Sequence, residues 1–527
     1  MVIDKSLKRA KSAESVGINS SVIQKMTEEM TYRGINIHSL MILRGGKVAC
    51  EAWSAPLKPE NPHMMYSVSK SILATAYGFA LYEGKISRET RFLDVFPEYA
   101  PKKRDENLEK LTIHHLFCMT AGKQTAIRSS KNDNWLEVFV GAKWIFAPGE
   151  SWRYINDNYY VASAMLCKTL GMSITEYLKP RLFEPLGIET PFWETDKNGC
   201  ETGGWGLMLK TEDMAKFILC YHNKGEYNGV QIVPKEWVEE ATSYISDNSV
   251  SEKAPDSSAG YGCGFWRCAG MKNTYRCEGI YCQYAISFDD YDACLVMTSD
   301  HNDLQETLDC IWEYMPKAFI EPDENVSGVT VTLPDNSKPI VNERSKTEND
   351  INGKVYKIKK CRFADAIGFP VSVFPMPVVF FAKERGGNIN NVRFKFNEKG
   401  CHFSWIEDGG FENEIFLSMN GEASTDKVTI GELSLDVYSY AYWESDNALV
   451  LKIRPFCAVA ERILKFEFNG KKIKIYPSSK PGTDEKAKKI GEKLKCILIG
   501  KGFHWWIDFL VPKVGKILNP THHGKTK

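Results

Sequence analysis

Around residues 320–350 the chain changes texture, and this constrains its architecture more than any other feature. Before it, helix-like and strand-like segments alternate. After it, "NNVRFKFNEKGCHFSWI", "NEIFLSMNG", "DKVTIGELSLDVYSYAYW", "ALVLKIRPF" and "RILKFEFNGKKIKIYP" are short alternating runs divided by Gly, Asn and Asp turns, the pattern of an all-β sandwich or barrel. A chain of 527 residues exceeds what one hydrophobic core serves, so separate domains are expected. The reading is an α+β domain over 1–320, a polar, proline-dotted linker over 321–350, a β-rich domain over 351–480 and a basic amphipathic tail over 481–527.

Within the first part, "INIHSLMILRGGKVACEAW" reads as two strands around an Arg-Gly-Gly turn. "SKSILATAYGFALYEGKI" has apolar residues at helical spacing and Gly84 near its end. Four further helix candidates, "LTIHHLFCMTAG", "NDNYYVASAMLCKTLG", "SITEYLKPRLFEPLGI" and "TEDMAKFILCYHNKG", end near a glycine or run into a proline. "TYRCEGIYCQYAISFDDYDACLVMTSD" alternates and reads as returning paired strands. A hairpin, a block of helices and returning strands point to an antiparallel sheet with helices packed on it.

Charge excludes some partners. Lys+Arg and Asp+Glu both number 67, which gives no footprint for nucleic acid. The N-terminus lacks the continuous apolar core of a secretory signal, so a cytoplasmic protein is expected. The fifteen cysteines show no CxxC pair and no zinc-finger spacing, as reduced, buried thiols would. No apolar run reaches the length of a membrane span. The lysines and Trp505-Trp506 of the tail suit an anionic membrane surface, but packing on its own protein or on a sister subunit is the commoner use, and a homo-oligomer stays open.

The stretch "HMMYSVSKSILATAYGFAL" contains Ser67-Val68-Ser69-Lys70. On a helix, residues three apart share a face, so the lysine reaches the serine hydroxyl. That lysine serves as a base when burial or nearby positive charge lowers its pKa. A second match, Ser424 to Lys427, falls in a turn leading into a strand, where the geometry fails. Ser67 also stands at a helix start, where free N–H groups favour a developing anion. "APGESWRYINDNYYVASAML" adds Tyr154 and Asn156, a hydroxyl that can relay a proton and an amide that can bind both lysine and a carbonyl. The comparable Tyr221-His222-Asn223 looks like a helix end.

Taken in order, "MMYSVSKS", "LTIHHLFCMTAG", "APGESWRYINDN", "LFEPLGI" and "GWGLMLKTEDMAKF" resemble the serine β-lactamase and penicillin-binding-protein superfamily over roughly residues 15–315. The match is best to its class C branch, with the family VIII esterases and 6-aminohexanoate-dimer-hydrolase-like enzymes. The resemblance implies a β-lactamase-like fold with the site between helices and sheet, to which the C-terminal all-β domain is added. By position it makes Ser67 the acylated nucleophile, Lys70 its base, Tyr154 the second acid/base and Asn156 the substrate-orienting amide. The class A signature Glu-x-x-Leu-Asn is not found, which favours the tyrosine-based mechanism.

The third family motif, Lys-Thr-Gly or His-x-Gly on the edge strand, is here Cys277-Glu278-Gly279-Ile280. Gly279 keeps close substrate approach, and the Ile280 N–H can join that of Ser67 as an oxyanion hole. The cationic side chain is replaced by Glu278, which would repel a substrate carboxylate and favour a cationic or neutral substrate.

Other candidates carry less. His63 is expected to be a structural hydrogen-bonder. His114 and His115 lack partner ligands in the sequence, His522-His523 lie in an end read as disordered, and Cys277 reads as packing. No metal or cofactor is expected. The expectation is therefore a serine hydrolase cleaving a small ester or amide through a Ser67 acyl-enzyme. A D-Ala-D-Ala peptidase or β-lactamase, and a non-catalytic binding protein on the same fold, are the alternatives.

Overall fold

The computed structural model describes residues 5–127, 132–359, 372–375, 378, 387–430, 433–482 and 521–526. They fall into two compact units, Met1–Pro334 and Asp335–Lys527. The division lies inside the polar stretch 321–350, and the first half of that stretch runs along the first unit. There the Val329 N–H donates to Ser20 Oγ at 2.8 Å and the Thr332 N–H to Gln24 Oε1 at 2.8 Å.

The first unit is built on a seven-stranded sheet in the order Lys8–Arg9, Lys47–Trp53, Ile37–Arg44, Ala293–Ser299, Gln283–Phe288, Thr274–Gly279, Trp266–Arg267. It is antiparallel apart from the edge pair of Lys8 with Lys47. The expected first hairpin closes with Arg44 opposite Lys47, around Gly45 and Gly46 at φ 57° and 70°, the left-handed pair that a two-residue hairpin turn needs. The C-terminal strand triplet spans the expected "TYRCEG…TSD" segment.

Helices Ser20–Tyr32 and Leu304–Ala318 cover one face of this sheet, where Met26, Met30, Leu40, Ile42, Leu295 and Ile311 share a core. On the other face, helix Ser69–Tyr82 is buried from Ser69 to Ala80. A helix apolar all round belongs inside a protein, and this one is enclosed by helices Asn156–Leu170 and Thr211–His222 and by Trp237. Asn156–Leu170 ends at Gly171 in the left-handed conformation, φ 68°, as the sequence implies. Tyr221-His222-Asn223 is a helix end, with Asn223 as the cap.

The second unit is a ten-stranded antiparallel sheet that closes on itself through a parallel contact of Ser418 with Tyr440. Its inward residues, among them Phe394, Phe403, Trp405, Leu451, Leu464, Phe466 and Ile475, are buried, as alternating strands predict. Ser424 and Lys427 lie on strand Ser424–Ile430, where side chains three apart point to opposite faces.

One expectation is corrected at the chain end. His522–Lys525 is a strand between Val355–Ile358 and Lys472–Lys480, and His522 is buried rather than disordered. Its pairing partners are some fifty to 165 residues away, and burial pushes its imidazole down to about 4. Most of the tail, with Trp505 and Trp506, lies outside the described residues. Among the described residues no helix is long and apolar enough to cross a membrane.

Candidate active site

Ser67 sits in a single 3-10 turn, Tyr66–Val68, that runs directly into helix Ser69–Tyr82. The turn is held from two sides. The Met65 N–H donates to the Leu207 carbonyl at 2.9 Å, and His63-Met64 pairs with Met208-Leu209. Tyr66, just before the serine, is forced to φ 48°, a left-handed backbone that costs a non-glycine residue of the order of 1 kcal/mol.

Lys70 is 2% exposed. Its Nζ lies 3.0 Å from Ser67 Oγ, 2.7 Å from Asn156 Oδ1 and 2.6 Å from the Gly204 carbonyl. Burial holds its pKa well below the ordinary lysine value, because a desolvated ammonium loses to a neutral amine. The neutral amine has two N–H groups and one lone pair. Two of its three neighbours are carbonyl oxygens, which only accept, so they take the two N–H groups. In that neutral form the lone pair would be left for Ser67 Oγ.

Tyr154 lies with its ring 4.9 Å from Lys70 Nζ. Burial raises the phenol above its usual range, so it keeps its proton. The ring is set by Trp266 at 5.4 Å and by Tyr261, edge-on at 6.4 Å. Asn156 opens helix Asn156–Leu170. The next residue, buried Asp157, accepts from Thr125 Oγ1 and from the N–H groups of Ala126 and Ile127, which anchors the helix start.

Thus Ser67, Lys70, Tyr154 and Asn156 come together in one cluster. Gly204 joins them unannounced. It is the first residue of the "GWGLMLKTEDMAKF" stretch, to which the sequence reading gave no role at the site. A Cβ on Gly204 would stand 3.1 Å from the Asn156 carbonyl and 3.4 Å from Lys70 Nζ, so glycine admits the close approach.

Strand Thr274–Gly279 packs against the Ser67 turn. A Cβ on Gly279 would come within 2.4 Å of the Met65 carbonyl, so glycine is what lets strand and nucleophile turn meet. Ile280 lies beyond the strand end, in the turn to Gln283, and is 45% exposed. Glu278 does not meet its expectation as a free charge facing substrate. Its Oε2 accepts from the fully buried Arg276 Nε at 2.7 Å, so its charge is matched inside the protein.

Residues 22–312 match the family model named Beta-lactamase. The chain belongs to the beta-lactamase family. It is 22% identical to a beta-lactamase of Pseudomonas fluorescens over 182 residues, 33% of this chain and 49% of that protein. It is also 22% identical to the 6-aminohexanoate-dimer hydrolase of Paenarthrobacter ureafaciens over 220 residues, 38% of this chain and 56% of that one. The chain spans about half the length of these two relatives. Among solved structures it is similar to EstCE1, a hydrolase with promiscuous acyltransferase activity, at 15% identity and TM-score 0.47, over 59% of this chain and 99% of that one. Its beta-lactamase-like fold with an added C-terminal β-barrel agrees with the resemblance read from the sequence.

The remaining sequence candidates separate. His63 is buried, with Nε2 3.0 Å from His38 Nδ1 and Nδ1 3.1 Å from the Met64 carbonyl. Cys277 is fully buried, and burial pushes its thiol up to about 12. His115 caps its own helix through Thr112. His114, read from the sequence as lacking partner ligands, has Cys118 and Cys263 beside it in the fold. The first is one helical turn on, but the second is 145 residues from it, a separation that no local spacing encodes.

Proposed function

We propose that this beta-lactamase-family protein is a serine hydrolase that cleaves an ester or amide of a small substrate through an acyl-enzyme on Ser67. The observation that carries the reading is the environment of Lys70, whose two carbonyl acceptors and lowered pKa leave a lone pair toward the serine hydroxyl.

In acylation Ser67 Oγ attacks the substrate carbonyl carbon as its proton passes to Lys70 Nζ. The Ser67 and Ile280 N–H groups receive the oxyanion. As the tetrahedral species collapses, the bond to the leaving group breaks, and Tyr154, kept protonated by burial, gives that group its proton and is resupplied from Lys70. Water then enters, loses a proton to the same pair and releases the acid, which restores Ser67. The Asn156 amide orients Lys70 and, through its N–H groups, the substrate carbonyl. With Glu278 neutralised by Arg276, the strand edge offers no unmatched charge, and a neutral acyl group fits it best.

The test is intact-mass analysis after treatment with a fluorophosphonate probe. One adduct on Ser67, lost in Ser67→Ala and slowed in Lys70→Met, supports the reading. No adduct from about pH 6 to 10, where a perturbed lysine becomes a base, would leave a binding protein on a hydrolase fold.

A further inference from the structure

His114 and Cys118 lie one turn apart at the end of helix Ile113–Phe117, so their side chains share a face. Cys263 reaches them from the loop Gly262–Gly264, whose path is fixed by the Cys263 N–H donating to the Ala241 carbonyl at 2.9 Å. The two sulfurs are 3.4 Å apart, Cys118 Sγ is 3.4 Å from His114 Nε2, and all three donor atoms lie within 4.8 Å of one another. Cys118 and Cys263 are buried, whereas His114 is half-exposed.

A further buried group points to this cluster. Tyr77, fully buried on the helix that carries Lys70, stacks on Phe117 of the helix that carries His114, with ring centroids 4.3 Å apart, and its hydroxyl has no hydrogen-bond partner among the described residues. The neighbouring hydroxyls are engaged: Tyr159 donates to the Phe117 carbonyl at 2.9 Å and Ser246 to the Cys118 carbonyl at 3.1 Å.

We infer that His114, Cys118 and Cys263 form a binding site for one thiophilic divalent cation of the zinc type. Tetrahedral zinc, with Zn–S of about 2.3 Å and Zn–N of about 2.0–2.1 Å, sets its donors roughly 3.5–3.8 Å apart, close to the two 3.4 Å separations from Cys118 Sγ. Charge selects the dication. Two thiolates and a 2+ ion sum to zero, while a monovalent ion would leave a net charge in a buried place, where it is costly. Both cysteines give up their thiol protons when such an ion binds. The fourth position falls to a neutral oxygen donor, for which the buried, unpartnered Tyr77 hydroxyl is a candidate. The half-exposed His114 marks the entry side.

Such an ion would act on the backbone behind the reacting groups. The Met119 carbonyl, next to Cys118, accepts from the Arg153 N–H, next to Tyr154. Gly264, next to Cys263, lies so close to Lys70 that a Cβ there would come 2.9 Å from the Lys70 carbonyl. The site is thus a structural clamp on the two loops that flank Lys70 and Tyr154, and it stands whether or not Ser67 is acylated.

The full-length protein, reduced and stripped with a chelator, is titrated with Co2+ and followed by absorption. One equivalent giving sulfur-to-cobalt charge transfer, displaced by Zn2+, is expected. Cys118→Ser and Cys263→Ser should each abolish that signal, and His114→Gln should weaken binding by about tenfold or more. Cys167→Ser, in the separate thiol pair with Cys200, should leave it unchanged. Zn2+ should also raise the melting temperature of wild type and not of Cys263→Ser. Absence of charge transfer in the reduced wild type, a readout that needs no variant to fold, overturns the site. So does a signal that survives both serine variants, or a Cys118–Cys263 disulfide that forms in air while the reduced form takes no metal.

Discussion

The Lys70 Nζ donates to the Gly204 carbonyl at 2.6 Å across 134 residues of sequence. In the proposed mechanism this contact, with that to Asn156 Oδ1, takes the two N–H groups of the neutral amine and leaves its lone pair for Ser67. Replacing Lys70 by Met removes the proposed base and leaves two carbonyls short of a donor. Hydrolysis and probe labelling should fall by about 10³-fold or more, as when one member of a nucleophilic unit is lost. Single-turnover labelling rates check this against Ser67→Ala, which should lose labelling outright.

Activity should rise with pH as Lys70 deprotonates, with its inflection well below 10.5, because burial lowers that pKa in the folded protein. Linkage gives the sign for stability. Between the lowered folded pKa and 10.5 the unfolded chain binds more protons than the folded one, so unfolding free energy rises with pH through that window. Denaturant titrations of wild type and Lys70→Met should show this rise in wild type and a flatter profile in the variant.

Tyr154→Phe keeps the ring beside Lys70 and removes only the hydroxyl. The maximal rate should drop by about 10²–10⁴-fold, the range for a lost proton-transfer group, with little change in melting temperature. A melting temperature that fell with the rate would assign the hydroxyl to structure instead.

Gly279→Ala places a Cβ 2.4 Å from the Met65 carbonyl, and backbone on both sides must move. A cost of ~1–3 kcal/mol is expected, as for other overpacked positions, together with slower labelling of Ser67. Chemical denaturation and labelling kinetics on the same preparation separate the two effects.

Glu278→Ala would leave the buried Arg276 guanidinium without its carboxylate. Losing one partner of a buried pair costs ~3–5 kcal/mol, so stability should suffer well before substrate choice does. A panel of neutral, cationic and anionic esters should be ranked alike by wild type and by Glu278→Gln, which keeps a hydrogen-bonding side chain.

Sequence alone determined the features that rest on local spacing. The alternation after residue 350 already implied an all-β sandwich or barrel, and the Ser67–Lys70 interval on an apolar helix already put hydroxyl and amine on one face. The Gly45-Gly46 turn, the cap at Gly171 and the rejection of Ser424–Lys427 follow from the same periodicities of 2 and 3.6. What only the tertiary structure decided are contacts between distant parts of the chain. The Gly204 carbonyl on Lys70, Cys263 beside His114 and Cys118, and His522 within the barrel sheet are of this kind. Arg276, two residues from Glu278, was within reach of inspection, but whether they pair depends on burial, and burial is a property of the packed whole. A backbone carbonyl carries no residue identity and a lone cysteine no spacing, so the packing of separate elements had to bring them together before their chemistry could be read.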